Sequence, residues 1–305
     1  MTESARTSAI ASPERETYVY KVVEGCRIQA DVYGGSPGAS KPGVLWIHGG
    51  GLIFGARTKS PRPTFLAALL QRGVVVVSID HRLAPETQLP GIVEDVHDAW
   101  RWVREQGQAL LGIDPARIGM AGGSSGAYLT LMGGYSLHPR PRAIASFWGF
   151  GDITAPWESD PSPYYREMPL VSREDADKSV GTVPVSEPPG DAERDYFYLY
   201  CRQQGRWLSE VTGHDPREND AWFDPYCPIR NVTPGYPPTI LIHGTLDTDV
   251  PHEESRNLAA RFAEHGVKHE FLSLEGIGHG FAGAKPEDVE RAEVAAARFL
   301  VANLR

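Results

Sequence analysis

Apolar residues in this chain come in short blocks, and the blocks alternate between two periods. Residues 18–23 (YVYKVV) and 26–33 (CRIQADVY) alternate apolar with polar and predict an opening antiparallel pair of strands. Residues 43–50 (GVLWIHGG) form a short apolar run that ends in glycines, and a helix follows over 64–73, closing at Gly73. The run 74–80 (VVVVSID) is β-branched and apolar at nearly every position, which suits a strand covered on both faces. Over 92–107 the period becomes helical, with Val93, Val96, Trp100 and Val103 on one stripe and Gly107 as the expected stop. A strand over 117–122, a helix over 126–137 and a strand over 143–149 complete the first half.

The rhythm stops at about residue 152. From 152 to 225 the chain is rich in proline, acids and aromatics and offers no apolar strand of the earlier kind. It then resumes with a strand at 238–244, a helix at 252–266, a strand at 269–276 and a helix at 286–304. Alternation of this kind predicts an α/β fold: a mostly parallel central sheet with helices on both faces. The expected division is a core of residues 1–151 and 226–305, with 152–225 inserted as a cap.

Composition narrows the function classes. With 41% hydrophobic and 23% charged residues, the 305-residue chain can bury a full core. Thirty-nine acidic residues against 30 basic ones give a net charge of −9, so the basic footprint for nucleic acid or an anionic membrane surface is missing. The polar N-terminus (1–17) lacks a signal-peptide core and reads as a frayed leader, and no run is long enough to span a bilayer. A cytoplasmic protein is expected. Cys26, Cys201 and Cys227 are odd in number and far apart, which predicts free thiols. No three-ligand metal cluster and no dinucleotide fingerprint stand out, so no metal and no cofactor are expected.

Parallel sheets carry their chemistry at the carboxyl ends of their strands. Four such ends carry polar groups or clustered glycines. Gly122-Gly123-Ser124-Ser125-Gly126 fits G-x-S-x-G between a strand and a helix, where a sharp bend can lift a serine hydroxyl above the sheet. Ser124 is favoured as nucleophile because glycines flank it on both sides, and Ser125 is the alternative register. His48-Gly49-Gly50-Gly51 presents backbone N–H groups that could stabilise an oxyanion. His48 itself reads as a loop-shaping residue. A phosphate loop is excluded because no Gly-Lys-Ser/Thr follows. Asp247 and Asp249 lie at a third strand end and His279, between two glycines, at the fourth. The order Ser, Asp, His suits a nucleophile, an orienting carboxylate and a base on this type of sheet. His252 and His269 read as surface or supporting residues.

Taken together, HGGG (48–51), DHRLAPE (80–86), GGSSG (122–126), HGTLDTDVP (243–251) and GHGF (278–281) resemble the α/β-hydrolase fold, on its hormone-sensitive-lipase-like branch of esterases. The resemblance covers most of the chain outside the insertion. It implies Ser124 as nucleophile, Asp247 as acid, His279 as base, and an oxyanion hole from the N–H groups of Gly50, Gly51 and Ser125. On that reading the Ser125 side chain is the more cheaply replaced of the two serines. Three features depart from the family: His81 stands where tyrosine is usual, the stretch before HGGG is short, and the insertion is long. The expected activity is carboxylic-ester hydrolysis through an acyl-enzyme on a small-molecule ester. A serine peptidase or amidase, and a non-catalytic receptor on the same fold, are the alternatives. A homodimer is compatible with the sequence. Trp157, Tyr164, Tyr165, Tyr196, Phe197, Tyr198, Tyr200, Trp207 and Trp222 crowd the insertion, either as the core that docks it or as a wall of an apolar pocket. The segment 183–191 reads as an exposed connector.

Overall fold

The structure, a computed structural model, describes residues 14–59, 61–187 and 191–305, with the backbone alone at 191–193. Eight strands form one sheet in the order β1-β2-β4-β3-β5-β6-β7-β8. They are β1 (Arg15–Val23), β2 (Cys26–Tyr33), β3 (Lys41–Ile47), β4 (Val75–Ile79), β5 (Ile113–Gly123), β6 (Ile144–Phe147), β7 (Thr239–Gly244) and β8 (His269–Leu274). The opening pair β1/β2 is antiparallel, as is β2 against β4, and every later pairing is parallel. All five residues of β4 and all six of β7 are buried, as expected of strands covered on both faces. The sheet is flanked by α1 (Pro63–Leu70), α2 (Leu89–Leu111), α3 (Ser125–Ser136), α10 (Glu253–Glu264) and α11 (Pro286–Asn303). Among the described residues no helix is long and apolar enough to cross a membrane.

Between β6 and β7 lie α4 (Pro156–Ser159), α5 (Pro163–Arg166), α6 (Arg173–Asp177), α7 (Asp191–Gln204), α8 (Trp207–Thr212) and α9 (Pro216–Asn219). Two 3₁₀ turns follow, Asp220–Tyr226 and Pro228–Asn231. One apolar cluster runs from the sheet into this segment, joining Leu45, Ile47 and Met120 to Phe197, Trp207, Leu208 and Phe223.

Several sequence expectations shift. The α2 helix passes through Gly107 and ends at Gly112. Gly107 needs no special conformation, whereas Gly112 takes φ +71° and a Cβ there would meet Ser36 O at 2.1 Å. The β5 strand starts four residues early, at Ile113, where Lys41 of β3 pairs with it. The leader read over 1–17 is cut short, because β1 begins at Arg15; residues 1–13 lie outside the described ones. The connector at 183–191 is only partly exposed. Val183 is open, but Val185 O accepts from Leu83 N and Ser186 Oγ donates to Arg27 O. Its residues 188–190 lie outside the described ones.

Candidate active site

The parallel register brings four loops together. Ile47 pairs with Gly122, Gly123 with Phe147, and Phe147 with Ile242. Residues 48–51, Ser124, Trp148 and the turn after β7 therefore leave the sheet from one edge. The loop after β8 joins them.

Ser124 occupies the bend between β5 and α3 at φ 56°, ψ −126°. A residue with a side chain at positive φ costs on the order of 1–3 kcal/mol and persists where its surroundings hold it. Here the surroundings are close. A Cβ on Gly122 would meet Gly126 O at 2.4 Å, and one on Gly126 would meet Ile47 O and His48 O at 2.3 Å. Both flanking glycines are therefore demanded by backbone contact. In the other register the flanks are Gly123, where a Cβ finds ordinary contact at 3.4 Å from Trp148, and Ala127. Ser125 is the first residue of α3 and is buried, with Oγ accepting from Leu52 N at 3.2 Å. The Ser125 side chain thus ties the glycine loop to the start of α3. The sequence expectation missed this bond because it joins residues 73 positions apart.

The glycine loop lies against the bend, with a Cβ on Gly49 reaching 3.1 Å from Ser124 Cβ. Gly50 and Gly51 take φ +118° and +58°, turning their N–H groups away from regular pairing. Among the described residues the N–H groups of Gly50, Gly51 and Ser125 have no protein acceptor.

His279 Nδ1 lies 2.8 Å from Asp247 Oδ2. Asp247 Oδ1 accepts from the N–H groups of Asp249 and Val250, both at 2.9 Å. His243 Nε2 faces two acceptors, Val250 O at 3.0 Å and Asp247 Oδ2 at 3.2 Å, so that nitrogen carries the hydrogen. Burial raises the Asp247 carboxyl, but the hydrogen bonds from His243 and His279 outweigh it and hold the group well below its ordinary value. For His279 burial opposes the charged ring, yet the Asp247 hydrogen bond and the charges of Asp249 and Asp247 together raise it above the ordinary imidazole value. With Nδ1–H given to Asp247, the neutral ring keeps Nε2 free as a proton acceptor.

Asp249 does not take the orienting position on Nδ1. Its Oδ2 lies 3.7 Å from His279 Nε2, on the other side of the ring. Trp148 packs edge-on against His279 and also lies beside Gly123, linking the bend to His279. His48 is buried and stacked on His81 with ring centroids 4.5 Å apart. Burial lowers His48 to about 4 and His81 to about 3, so both rings are neutral packing elements. His252 and His269 bond to Ser273 Oγ and Val267 O, and His252 packs edge-on against the ring of His243 with centroids 5.7 Å apart.

The inserted segment contributes contacts that the sequence does not single out. Trp207 Nε1 donates to Gly51 O at 2.8 Å, and Tyr198 lies so close that a Cβ on Gly51 would meet its ring at 2.4 Å. Tyr198 OH donates to Asp249 Oδ1 at 2.7 Å, and Arg202 to Asp249 O at 3.0 Å. Arg194 donates to Ile53 O, Ala84 O and Glu86 from within the core. No local pattern marks these positions as different from their neighbours on α7 and α8. The aromatic set divides accordingly. Phe197 and Trp207 are buried core, Tyr164 and Tyr196 are exposed, and Tyr198 and Trp207 cover the glycine loop. Cys201 and Cys227 are free and buried, Cys26 is free and partly buried, and burial pushes the Cys227 thiol up to about 12.

This arrangement of sheet, bend and loops places the chain in a known class. It belongs to the alpha/beta hydrolase fold family, whose profile matches residues 44–283. Among curated proteins it is 30% identical over 302 residues to the non-reducing polyketide synthase Preu6 of Preussia isomera, covering 87% of this chain and 14% of that one. The non-reducing polyketide synthase trt4 of Aspergillus terreus is 29% identical over 322 residues, covering 87% and 13%. The chain thus spans about one-seventh of the length of these relatives. Among solved structures, a Staphylococcus aureus protein of unknown function superposes with a TM-score of 0.78 at 22% identity, over 95% of this chain and all of that one. The carboxylesterase EstE1, cloned from a metagenomic library, gives 0.68 at 23%, over 97% and 90%. Esterase 2 of Thermogutta terrifontis gives 0.64 at 23%, over 95% and 92%. These structural likenesses carry the fold.

Proposed function

We propose that this protein is a serine carboxylic-ester hydrolase of the hormone-sensitive-lipase-like branch, working through an acyl-enzyme. The observation that carries the reading is the pairing of a strained Ser124 at the strand-to-helix bend with a His279–Asp247 hydrogen bond of 2.8 Å at neighbouring strand ends. Ser124 Oγ attacks the ester carbonyl and its proton passes to His279 Nε2. Asp247 holds the ring orientation and stabilises the imidazolium. The N–H groups of Gly50, Gly51 and Ser125 receive the oxyanion, each donor contributing about a hundredfold to a thousandfold in rate. His279 then protonates the leaving alcohol, and water attacks the acyl-enzyme to release the acid. Residues 152–225 act as the cap over this centre, with Tyr198 and Trp207 as its inner wall.

Turnover of a short-chain 4-nitrophenyl ester tests the reading, with Ser124→Ala beside the parent. Paraoxon, which phosphorylates the Thermogutta esterase, supplies a second test through the mass of the Ser124 peptide. Turnover unchanged in Ser124→Ala, or a label elsewhere, overturns it.

The curated relatives favour one refinement of the acyl group. Both are polyketide synthases, which supports an acyl portion of polyketide type. A panel of straight-chain, aryl and β-keto acyl esters at one leaving group separates this from a plain short-chain preference.

A further inference from the structure

The ring of His279 stands between two carboxylates, and only one of them is absorbed by the mechanism above. Asp247 takes Nδ1 at 2.8 Å, and Asp249 Oδ2 faces Nε2 at 3.7 Å. The nitrogen on the Asp249 side is the one that must exchange protons with the reacting oxygens. Asp249 is held there from three directions. Its N–H donates to Asp247 Oδ1 at 2.9 Å, its Oδ1 accepts from Tyr198 OH at 2.7 Å, and Arg202 donates to its carbonyl at 3.0 Å while lying 3.5 Å from Oδ1. Arg202 is itself fixed, with its guanidinium over the rings of Trp157, Tyr165 and Tyr198. Two side chains of the insertion, Tyr198 and Arg202, therefore fix a carboxylate that has no part in orienting the base.

We propose that Asp249 orients the hydrolytic water of the deacylation step. The inference rests on the ester-hydrolase reading. A water molecule at hydrogen-bond distance, about 2.8 Å, from both His279 Nε2 and Asp249 Oδ2 closes a triangle on the observed 3.7 Å separation. One O–H then points at the base and the other at Asp249, and a lone pair is left for the acyl carbon. A carboxylate has acceptor capacity to spare for this beside its bond from Tyr198.

The chemistry explains why only one half of the cycle needs such a group. In acylation the nucleophile is Ser124 Oγ, fixed by the chain. In deacylation it is a free water, which has to be captured and turned before it can react. Its oxygen bonds to the acyl carbon and one proton passes to Nε2, while the other hydrogen stays on that oxygen, donated as a hydrogen bond to Asp249. The tetrahedral intermediate then breaks its bond to Ser124 Oγ, which recovers the proton from His279, and the carboxylic acid leaves.

The test is a pre-steady-state measurement on Asp249→Asn with 4-nitrophenyl acetate, at a pH where His279 is neutral in parent and variant. The expected result is an unchanged burst of one nitrophenolate per site, followed by a steady phase slowed about tenfold or more. Acetyl-Ser124 should accumulate in the quenched variant, and product should partition further toward methyl acetate when methanol is added. Tyr198→Phe leaves the charge in place and loosens its hold, so the same split should appear to a smaller degree. An equal fall in both phases, the result expected of a disturbed fold or base, overturns the proposal, as does an unchanged steady phase. Absence of 4-nitrophenyl acetate turnover in the parent is a different failure: it sinks the ester-hydrolase reading, and this inference with it.

Discussion

Ser125 Oγ accepts the N–H of Leu52, joining the first turn of α3 to the end of the glycine loop across 73 residues of sequence. Leu52 itself takes φ +61° and is fully buried, so this bond holds a strained residue in place. The two neighbouring serines therefore predict different phenotypes. Ser124→Ala should lower kcat on the order of 10⁴-fold or more with the fold intact. Ser125→Ala leaves a buried donor unpaired, which should cost about 1–3 kcal/mol of stability. Ester turnover and thermal melting of both variants check the contrast, and a Ser125→Ala variant inactive at parental stability would reverse the assignment.

The bend makes a prediction that needs no substrate. Gly126→Ala drives a methyl group to within 2.3 Å of two backbone carbonyls, and the backbone cannot yield cheaply. Destabilisation of several kcal/mol is expected, at the upper end of what single substitutions cost. Gly107→Ala on α2 is the control. Its added methyl group meets only ordinary contacts at 3.5 Å, and helix propensity should stabilise the protein by about 0.5–1 kcal/mol. Denaturant midpoints of the two variants should move in opposite directions.

The pH dependence follows from His279. The proposed mechanism requires its base form, and the hydrogen bond to Asp247 and the two carboxylate charges hold its pKa above the ordinary value despite burial. The acid limb of kcat/KM should therefore lie above about 6.5. Asp249→Asn removes one of the raising charges and should move the limb to lower pH. The stability signs differ for the two partners. A raised His279 contributes stability present below its unfolded value and lost as pH rises through the folded one. A depressed Asp247 contributes stability present above its unfolded value, about 3.9, and lost as pH falls through the folded one. Melting curves for the parent and Asp247→Asn should begin to converge as pH falls below about 4.

Arg194 anchors α7 to the core. Its guanidinium and the Glu86 carboxylate are almost wholly buried, 4% and 1% exposed, and lie 2.7 Å apart. Arg194→Met leaves Glu86 as an unpaired buried charge and should cost about 3–5 kcal/mol. Because Arg194 also holds Ile53 O, beside the glycine loop, activity should fall before global unfolding as temperature rises. Coincident loss of both would show that the segment does not loosen separately.

The thiols offer the simplest check. Cys201 and Cys227 are fully buried and their pKa values are raised by burial, whereas Cys26 is partly exposed. A thiol reagent such as 5,5′-dithiobis(2-nitrobenzoate) should modify one cysteine in the native protein and three after denaturation. Rapid native modification of more than one would contradict the packing around α7 and the turn before β7.

Local sequence determined much of this protein. The β-branched run at 74–80 suits a strand buried on both faces, which it forms over Val75–Ile79. The Gly122 and Gly126 flanks of Ser124 record a steric demand that the G-x-S-x-G spacing makes visible. The order of Ser124, Asp247 and His279 follows from strands whose carboxyl ends share one edge. Tertiary structure decided what depends on contacts between distant residues. Between Asp247 and Asp249, two positions apart, the sequence is nearly indifferent; the loop after β8 brings His279 Nδ1 to one and Nε2 toward the other. Ser125 acquires its partner in Leu52, His48 and His81 in each other, and Tyr198 and Arg202 in the carboxylate of Asp249. None of these partners is a near neighbour of the other in sequence. Periodicity reports which face of an element is covered, and only the folded chain sets which side chain from another element comes to cover it.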